Sequence, residues 1–142
     1  MIRELLEEDL LEVVRLEKEL FGDHWDHDDF KKELDSDLSH MYVLTIDGKI
    51  VGYIAITILY ERVEITDLAV AKDKQRQGYA KLLLDHVTKV AKDQGCEVMS
   101  LEVKVTNIPA LRLYEGYDFI VMRKRERYYK DGTDAYEMAR GI

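Results

Sequence analysis

Cysteine, proline and clustered positive charge are what this chain has least of. Cys96 is the only cysteine and Pro109 the only proline in 142 residues. A single thiol excludes an internal disulfide framework and any multi-cysteine metal site. Basic residues are outnumbered, 21 against 29 acidic ones, for a formal net charge of −8. That balance argues against a phosphate-backbone surface, which depends on clustered Lys and Arg, so nucleic acid is not an expected partner. The longest mostly apolar run, residues 49–60, is too short to cross a bilayer as a helix and is interrupted by Gly52. No membrane span is expected. Without a basic segment leading into an apolar signal core, residence in the cytoplasm is the expectation.

What the chain does have is a core-forming composition, 46 % hydrophobic and 35 % charged. One domain over residues 1–142 is expected, large enough to bury a core without disulfides or metal. No repeat, low-complexity tract or linker interrupts it.

Apolar residues at Leu10, Leu11, Val13, Val14, Leu16 and Leu20 give residues 7–21 a helical spacing. A short helix over roughly 27–34 follows a loop holding Trp25. Residues 41–46 and 49–59 are rich in Val, Ile and Tyr and flank Asp47-Gly48, a two-residue hairpin signal. Residues 62–71 read as a third strand. After a polar loop the spacing becomes helical, with Ala80, Leu83, Leu84, Val87, Val90 and Ala91 on one stripe and Gly95 closing the helix. Alternation over 98–105 places Met99, Leu101, Val103 and Val105 on one face, and Ser100, Glu102 and Lys104 on the other. A short helix near 107–115 tolerates Pro109 in its first turn. Residues 119–129 and 134–138, joined across Lys130-Asp131-Gly132-Thr133, read as a closing hairpin.

The segment richest in chemistry is Asp67-Leu68-Ala69-Val70 followed by Gln75-Arg76-Gln77-Gly78-Tyr79-Ala80, a strand, a tight loop and a helix start in succession. Main-chain N–H groups at a helix start lack internal partners, and Gly78 lets the backbone approach a ligand. The loop can therefore cradle a pyrophosphate, although an ordinary connector would read similarly. Lys72, Lys74, Arg76 and Lys81 surround it with positive charge, which surface solvation would also explain.

This segment resembles the Gln/Arg-x-x-Gly-x-Gly/Ala signature of the GNAT superfamily of N-acetyltransferases, with Ala80 where glycine is frequent. The order of elements is similar across nearly the whole chain. A narrower likeness, in Leu101-Glu102-Val103, Asn107 and Leu113-Tyr114-Glu115, is to the bacterial subfamily that acetylates the N-terminal alanine of a small-subunit ribosomal protein. Phe21, Trp25 and Phe30 at one end resemble that subfamily too, as do Arg127-Tyr128-Tyr129, Gly132, Asp134-Ala135 and Met138 at the other. Departures lie on the substrate side: His24 stands where proline often precedes tryptophan, Gly116 is displaced, and Thr133 replaces a common glutamate.

The resemblance implies an α/β (α+β) fold, a central mixed, mostly antiparallel sheet of about seven strands flanked by about four helices. It implies acetyl-coenzyme A as co-substrate, held by the main chain of Gln75, Arg76, Gln77, Gly78, Tyr79 and Ala80. The strand edge at Leu68, Ala69 and Val70 would pair with the pantetheine arm. Asn107 would touch the coenzyme, cap its helix, or do both. The implied acceptor is a protein N-terminus, that of a ribosomal protein. An α-amine, with a pKa of about 7.7 to 8.0, needs only a modest push to attack a thioester, and Glu102 would supply it. Tyr114, as a phenol of pKa about 10, would protonate the departing thiolate, whose thiol lies near about 8.5. A solvated strand carboxylate and a packed tyrosine are the plainer readings of these two residues. Trp25, Tyr128 and Tyr129 are candidates for a peptide-binding wall.

Glu64 and Asp67 are reserve candidates for the base, placed by strand alternation on opposite faces. Cys96 reads as structural. His24, His27, His40 and His86 show no metal-type spacing, so no metal is expected. Two other functions remain open: acetylation of a small amine or polyamine, and a non-catalytic coenzyme-A-binding module. The oligomeric state is not legible.

Overall fold

The computed structural model describes residues 1–22 and 24–142, and among them seven strands and four helices. In chain order these are β1 (Ile2–Glu4), α1 (Leu10–Phe21), α2 (His27–Asp35), β2 (Ser39–Ile46), β3 (Lys49–Leu59) and β4 (Arg62–Val70). They continue with α3 (Tyr79–Asp93), β5 (Val98–Lys104), α4 (Ile108–Gly116), β6 (Ile120–Arg125) and β7 (Ala135–Gly141). The strands form one sheet in the order β1-β2-β3-β4-β5-β7-β6. Every neighbouring pair is antiparallel except β4 and β5.

Local chemistry explains the element boundaries. Asp47 and Gly48 both adopt positive φ, 51° and 78°, the geometry that joins two strands without splaying them. Asp26 and Asp29 cap α2 reciprocally, each carboxylate accepting the other's main-chain N–H at 2.9 and 3.0 Å. The expected stripe of α3 is buried at Leu83, Leu84, Val87 and Ala91, and Gly95 at φ 87° turns the chain out of it.

The sheet divides the core in two. Ile54, Ile56, Val63, Ile65, Met99 and Leu101 pack against α3 and α4, while Val43, Tyr53, Ala55 and Ala69 pack under α1 and α2. Cys96 is buried, its thiol directed at the Tyr60 carbonyl 3.6 Å away, as a structural cysteine would be.

One strand goes unannounced by the sequence, and two expectations need correction. The strand β1 carries too few residues to announce itself, and is held by antiparallel pairing to β2. The first helix starts as a 3-10 turn, Glu7–Asp9, because the Asp9 carboxylate is already engaged with Arg3 and with the Leu6 N–H, at 2.7 and 2.8 Å. The strand expected over 119–129 stops at Arg125. Arg127 takes φ 50° and donates its N–H to Asp134 at 2.9 Å, which turns the chain early and leaves Tyr128 and Tyr129 in a loop.

Candidate active site

The two parallel strands stay together for only four residue pairs, Arg62 with Val98 through Ile65 with Leu101. Beyond that point β4 remains paired to β3 and β5 to β7, so their facing edges diverge. A bulge opens the split: Ile65 and Asp67 face Ile56 and Ala55, and Thr66 is skipped, its hydroxyl donating to the Ala55 carbonyl at 3.2 Å. The gap is a cleft of about 430 Å³. Ile65 to Leu68 line one side and Leu101 to Lys104 the other. Simple alternation would send Glu64 and Asp67 to opposite faces. The skipped residue reverses that, and both face the side of α1 and α2 together with Glu102.

Glu102 borders the cleft from β5, and Tyr114 reaches it from α4. Burial raises the Glu102 pKa above the ordinary carboxylate value, partly offset by Arg125, whose Nε lies 3.7 Å from Oε1. Glu64, also raised by burial and by the Glu102 charge, lies close by. Arg125 is held in turn by Glu137 at 3.0 Å. Glu102 is therefore a partly buried carboxylate with an imperfect counter-ion, a setting in which a carboxylate can accept a proton. Tyr114 packs edge-on against Phe119 with ring centroids 5.7 Å apart, and burial raises its pKa further above 10. A phenol in that state is a weaker acid than a thiol near about 8.5. Outright proton donation, as the sequence suggests, is thus uphill; a hydrogen bond to the charge developing on sulfur is the role this environment supports.

The proposed cradle has the required chemistry. Gly78, at φ 88°, opens α3 without a side-chain cap, whereas α2 and α4 both have one. Among the described residues, no backbone or side-chain acceptor takes the N–H groups of Arg76 through Lys81. Six consecutive free donors at a helix N-terminus suit a pyrophosphate. The Gln75 side chain pins this loop to the strand, donating to the Val70 carbonyl at 2.9 Å. Leu68, Ala69 and Val70 pair with β3 on one edge and present the other to the gap. Asn107 caps α4 through the Ala110 N–H at 3.2 Å and also lines the cleft, so capping leaves its amide nitrogen available.

The aromatic wall is only partly as expected. Tyr129 lines the cleft, its phenol pushed up to about 12 by burial and the neighbouring Tyr128. Tyr128 stands beside it, ring centroids 5.0 Å apart, under the Arg125 guanidinium. Trp25 does not line the cleft. It lies behind His24, its ring stacked on the imidazole at 6.0 Å and set edge-on to Phe30 at 5.1 Å. Leu20, Phe21 and His24 occupy that wall instead. Phe21 carried a sequence signal in its pairing with Trp25; His24 read only as a departure from pattern.

The structure also gathers Glu17, His24 and Asp67, whose ligand-type atoms lie within 4.8 Å of one another. Glu17 and His24 are 2.5 Å apart, a hydrogen-bond contact and shorter than the roughly 3.3 Å between two ligands of a tetrahedral ion.

Residues 8–119 match the Acetyltransferase (GNAT) family. The chain belongs to that family. A Bacillus subtilis protein, provisionally named a ribosomal protein bS18-alanine N-acetyltransferase, is 31 % identical over 139 residues, 96 % of this chain and 92 % of that one. An N-alpha-acetyltransferase of Sulfolobus acidocaldarius is 29 % identical over 144 residues, 92 % and 86 % of the two chains. The crystal structure of the ribosomal-protein-S18-alanine N-acetyltransferase from Escherichia coli superposes with a TM-score of 0.91 at 28 % identity, over 100 % of this chain and 93 % of that one. The GNAT chain described here is accordingly an N-acetyltransferase with a seven-stranded mixed sheet and four helices among its described residues. Among the described residues no helix is long and apolar enough to cross a membrane.

Proposed function

We propose that this GNAT protein acetylates the N-terminal amine of another protein, with acetyl-coenzyme A as donor and the N-terminal alanine of a small-subunit ribosomal protein as natural acceptor. The observation that carries this reading is the placement of Glu102 and Tyr114 on the border of the gap between β4 and β5, with the loop that leads into the free N–H row at Gly78 pinned to the end of β4. The names of the relatives support the acceptor class, and the Bacillus subtilis relative named for bS18 alanine, together with the likeness at Leu101-Glu102-Val103 and Leu113-Tyr114-Glu115, supports alanine. The setting is the cytoplasm, with no metal, nucleic acid or membrane involved.

The free N–H groups of residues 76–81 would hold the donor's pyrophosphate, and the open edge of Leu68 to Val70 would pair with its amide-bearing arm. Bound there, the donor supplies an activated acetyl group as a thioester. Glu102 takes the proton from the α-ammonium, directly or through water, and frees the nitrogen lone pair. As the C–N bond forms and the C–S bond breaks, Tyr114 donates a hydrogen bond to the sulfur; the nitrogen gives up its second proton to water, the thiolate takes one from water, and coenzyme A leaves as the thiol. Glu102 then returns its proton to solvent, and no covalent enzyme intermediate is required.

Incubation with acetyl-coenzyme A and peptides beginning with Ala, Ser or Met, followed by mass-spectrometric location of the acetyl group, tests the proposal. Modification of the α-amine, fastest for Ala, is expected. Acetylation confined to lysine side chains or polyamines would overturn it, and donor binding without turnover would identify a coenzyme-A-binding module.

A further inference from the structure

We propose that Asp67 is a positioning residue that works as a neutral acid. By sharing one proton with Glu17 it ties β4 to α1, and through Glu17 to His24, and so fixes the wall that faces the acceptor.

Glu17 is completely buried and Asp67 is 7 % exposed. The Tyr53 hydroxyl donates to one Glu17 oxygen, and His24 Nδ1 lies 2.5 Å from the other. With His24 in its Nδ1–H tautomer, both oxygens already have donors. Among the described residues Asp67 has none at Oδ2, although that atom is sealed from solvent. Among the described residues no Lys or Arg pairs with either carboxyl.

Two carboxylates this close and this dry cannot both be ionised. The donors decide which one carries the proton. Burial pushes Glu17 up, but hydrogen bonds from His24, Asp67 and Tyr53 more than offset it and leave its pKa lowered. Burial, followed by the Glu17 contact, drives Asp67 well above the carboxylate range. As an acid, Asp67 donates to Glu17, and its orphaned oxygen is satisfied.

The position of this bridge gives it a function. Asp67 sits one residue past the bulge at which β4 leaves β5, and it lines the cleft. His24 lines the same cleft with Leu20 and Phe21, and its ring is stacked on Trp25. One proton thus couples the strand that would carry the donor to the loop that would face the acceptor. Other titratable groups around Asp67 are Tyr114 from α4, Glu102 and Lys104 from β5, and Tyr129. An ionised Asp67 would repel Glu17 and release the loop. The bridge therefore holds while Asp67 keeps its proton and is lost as pH rises through its raised pKa.

The test compares the wild type with Asp67→Asn, which keeps shape and donor, and with Asp67→Ala, which removes both. Asp67→Ala is expected to raise the acceptor KM about tenfold with donor KM little changed, the cost of a buried acceptor deprived of a donor. Asp67→Asn should restore the neutral-pH value to within about twofold and abolish the rise in acceptor KM at alkaline pH. Carbon-13 NMR of labelled aspartates should show one carboxyl still protonated at neutral pH, absent from Asp67→Asn. This measurement needs no substrate, so its outcome is separate from the identity of the acceptor, and it decides the matter if Asp67→Ala does not fold. Uniformly ionised aspartates, or equal damage from Asn and Ala, would overturn the proposal. So would tight binding of added zinc chloride that Asp67→Asn abolishes, since the three residues would then be ligands.

Discussion

Ile65 and Leu101 are the last paired residues between β4 and β5, and the cleft that Glu102 and Tyr114 border opens just beyond them. A parallel pair that ended at a loop would leave no usable edge. Here both strands continue, each held on its far side, so two rows of main-chain donors and acceptors face an open gap. Such edges invite an extended, amide-bearing ligand. The bulge at Thr66 turns Asp67 toward α1, and the regular alternation of β5 turns Glu102 to the same face. Tyr114 enters from the opposite helical layer, so a carboxylate and a phenol border the cleft from two sides of the sheet.

Glu102→Gln keeps the volume of the side chain and removes its ability to accept a proton. Turnover is expected to fall about 10²- to 10⁴-fold, read as thioester consumption with acceptor KM little changed. The wild type should lose rate as pH falls through the raised Glu102 pKa, above the roughly 4.3 of an unperturbed glutamate. The variant should lack that acid limb. An unchanged profile would remove Glu102 as the base.

Tyr114→Phe tests the second group. The ring stays packed on Phe119, and among the described residues the hydroxyl has no hydrogen-bond partner, so thermal stability should be unaltered. Turnover should drop by about 10²-fold if the phenol stabilises charge on sulfur. Because burial holds this phenol above its ordinary value, no alkaline limb in the wild-type rate should trace to Tyr114.

The sequence made the sheet, the α3 stripe and the glycine-led cradle legible because each rests on local periodicity or on one conformationally special residue. Gly78, Gly48 and Gly95 all adopt the positive φ that their positions suggest. What stayed hidden depends on contacts distant along the chain. The bulge at Thr66 is a mismatch between two strands, visible in neither alone, and it reversed the face of Asp67 relative to Glu64. The Glu17, Tyr53 and Asp67 cluster joins α1, β3 and β4, and no spacing rule links those positions. Trp25 looked like a binding aromatic by type, but its partners His24 and Phe30 place it behind the wall.

Gly52→Ala probes how closely β3 and β4 must approach. A Cβ at Gly52 would lie 2.8 Å from the Ala69 carbonyl oxygen, a main-chain atom that can move only with its strand. The substitution should cost about 1 to 3 kcal/mol in urea unfolding. Displacing β4 also disturbs the edge offered to the donor, so donor KM should rise more than acceptor KM. Equal effects on both would mean that the strand edge does not hold the donor.

Asp9→Asn separates charge from shape at the start of the chain. Asp9 accepts two hydrogen bonds from Arg3, at 2.7 and 3.0 Å, and a third from the Leu6 N–H at 2.8 Å. The Arg3 hydrogen bonds lower its pKa; burial opposes them, and the Leu6 contact and the Arg3 charge add to the lowering. A carboxyl depressed in the folded state contributes stability that is complete above its unfolded pKa, about 3.9, and is lost as pH falls through the lower folded value. The variant should therefore melt below the wild type at neutral pH, and the difference should shrink to nothing as acid protonates Asp9. A difference that persists at the acid end would show that β1 and the first turn are joined by packing rather than by this ion pair.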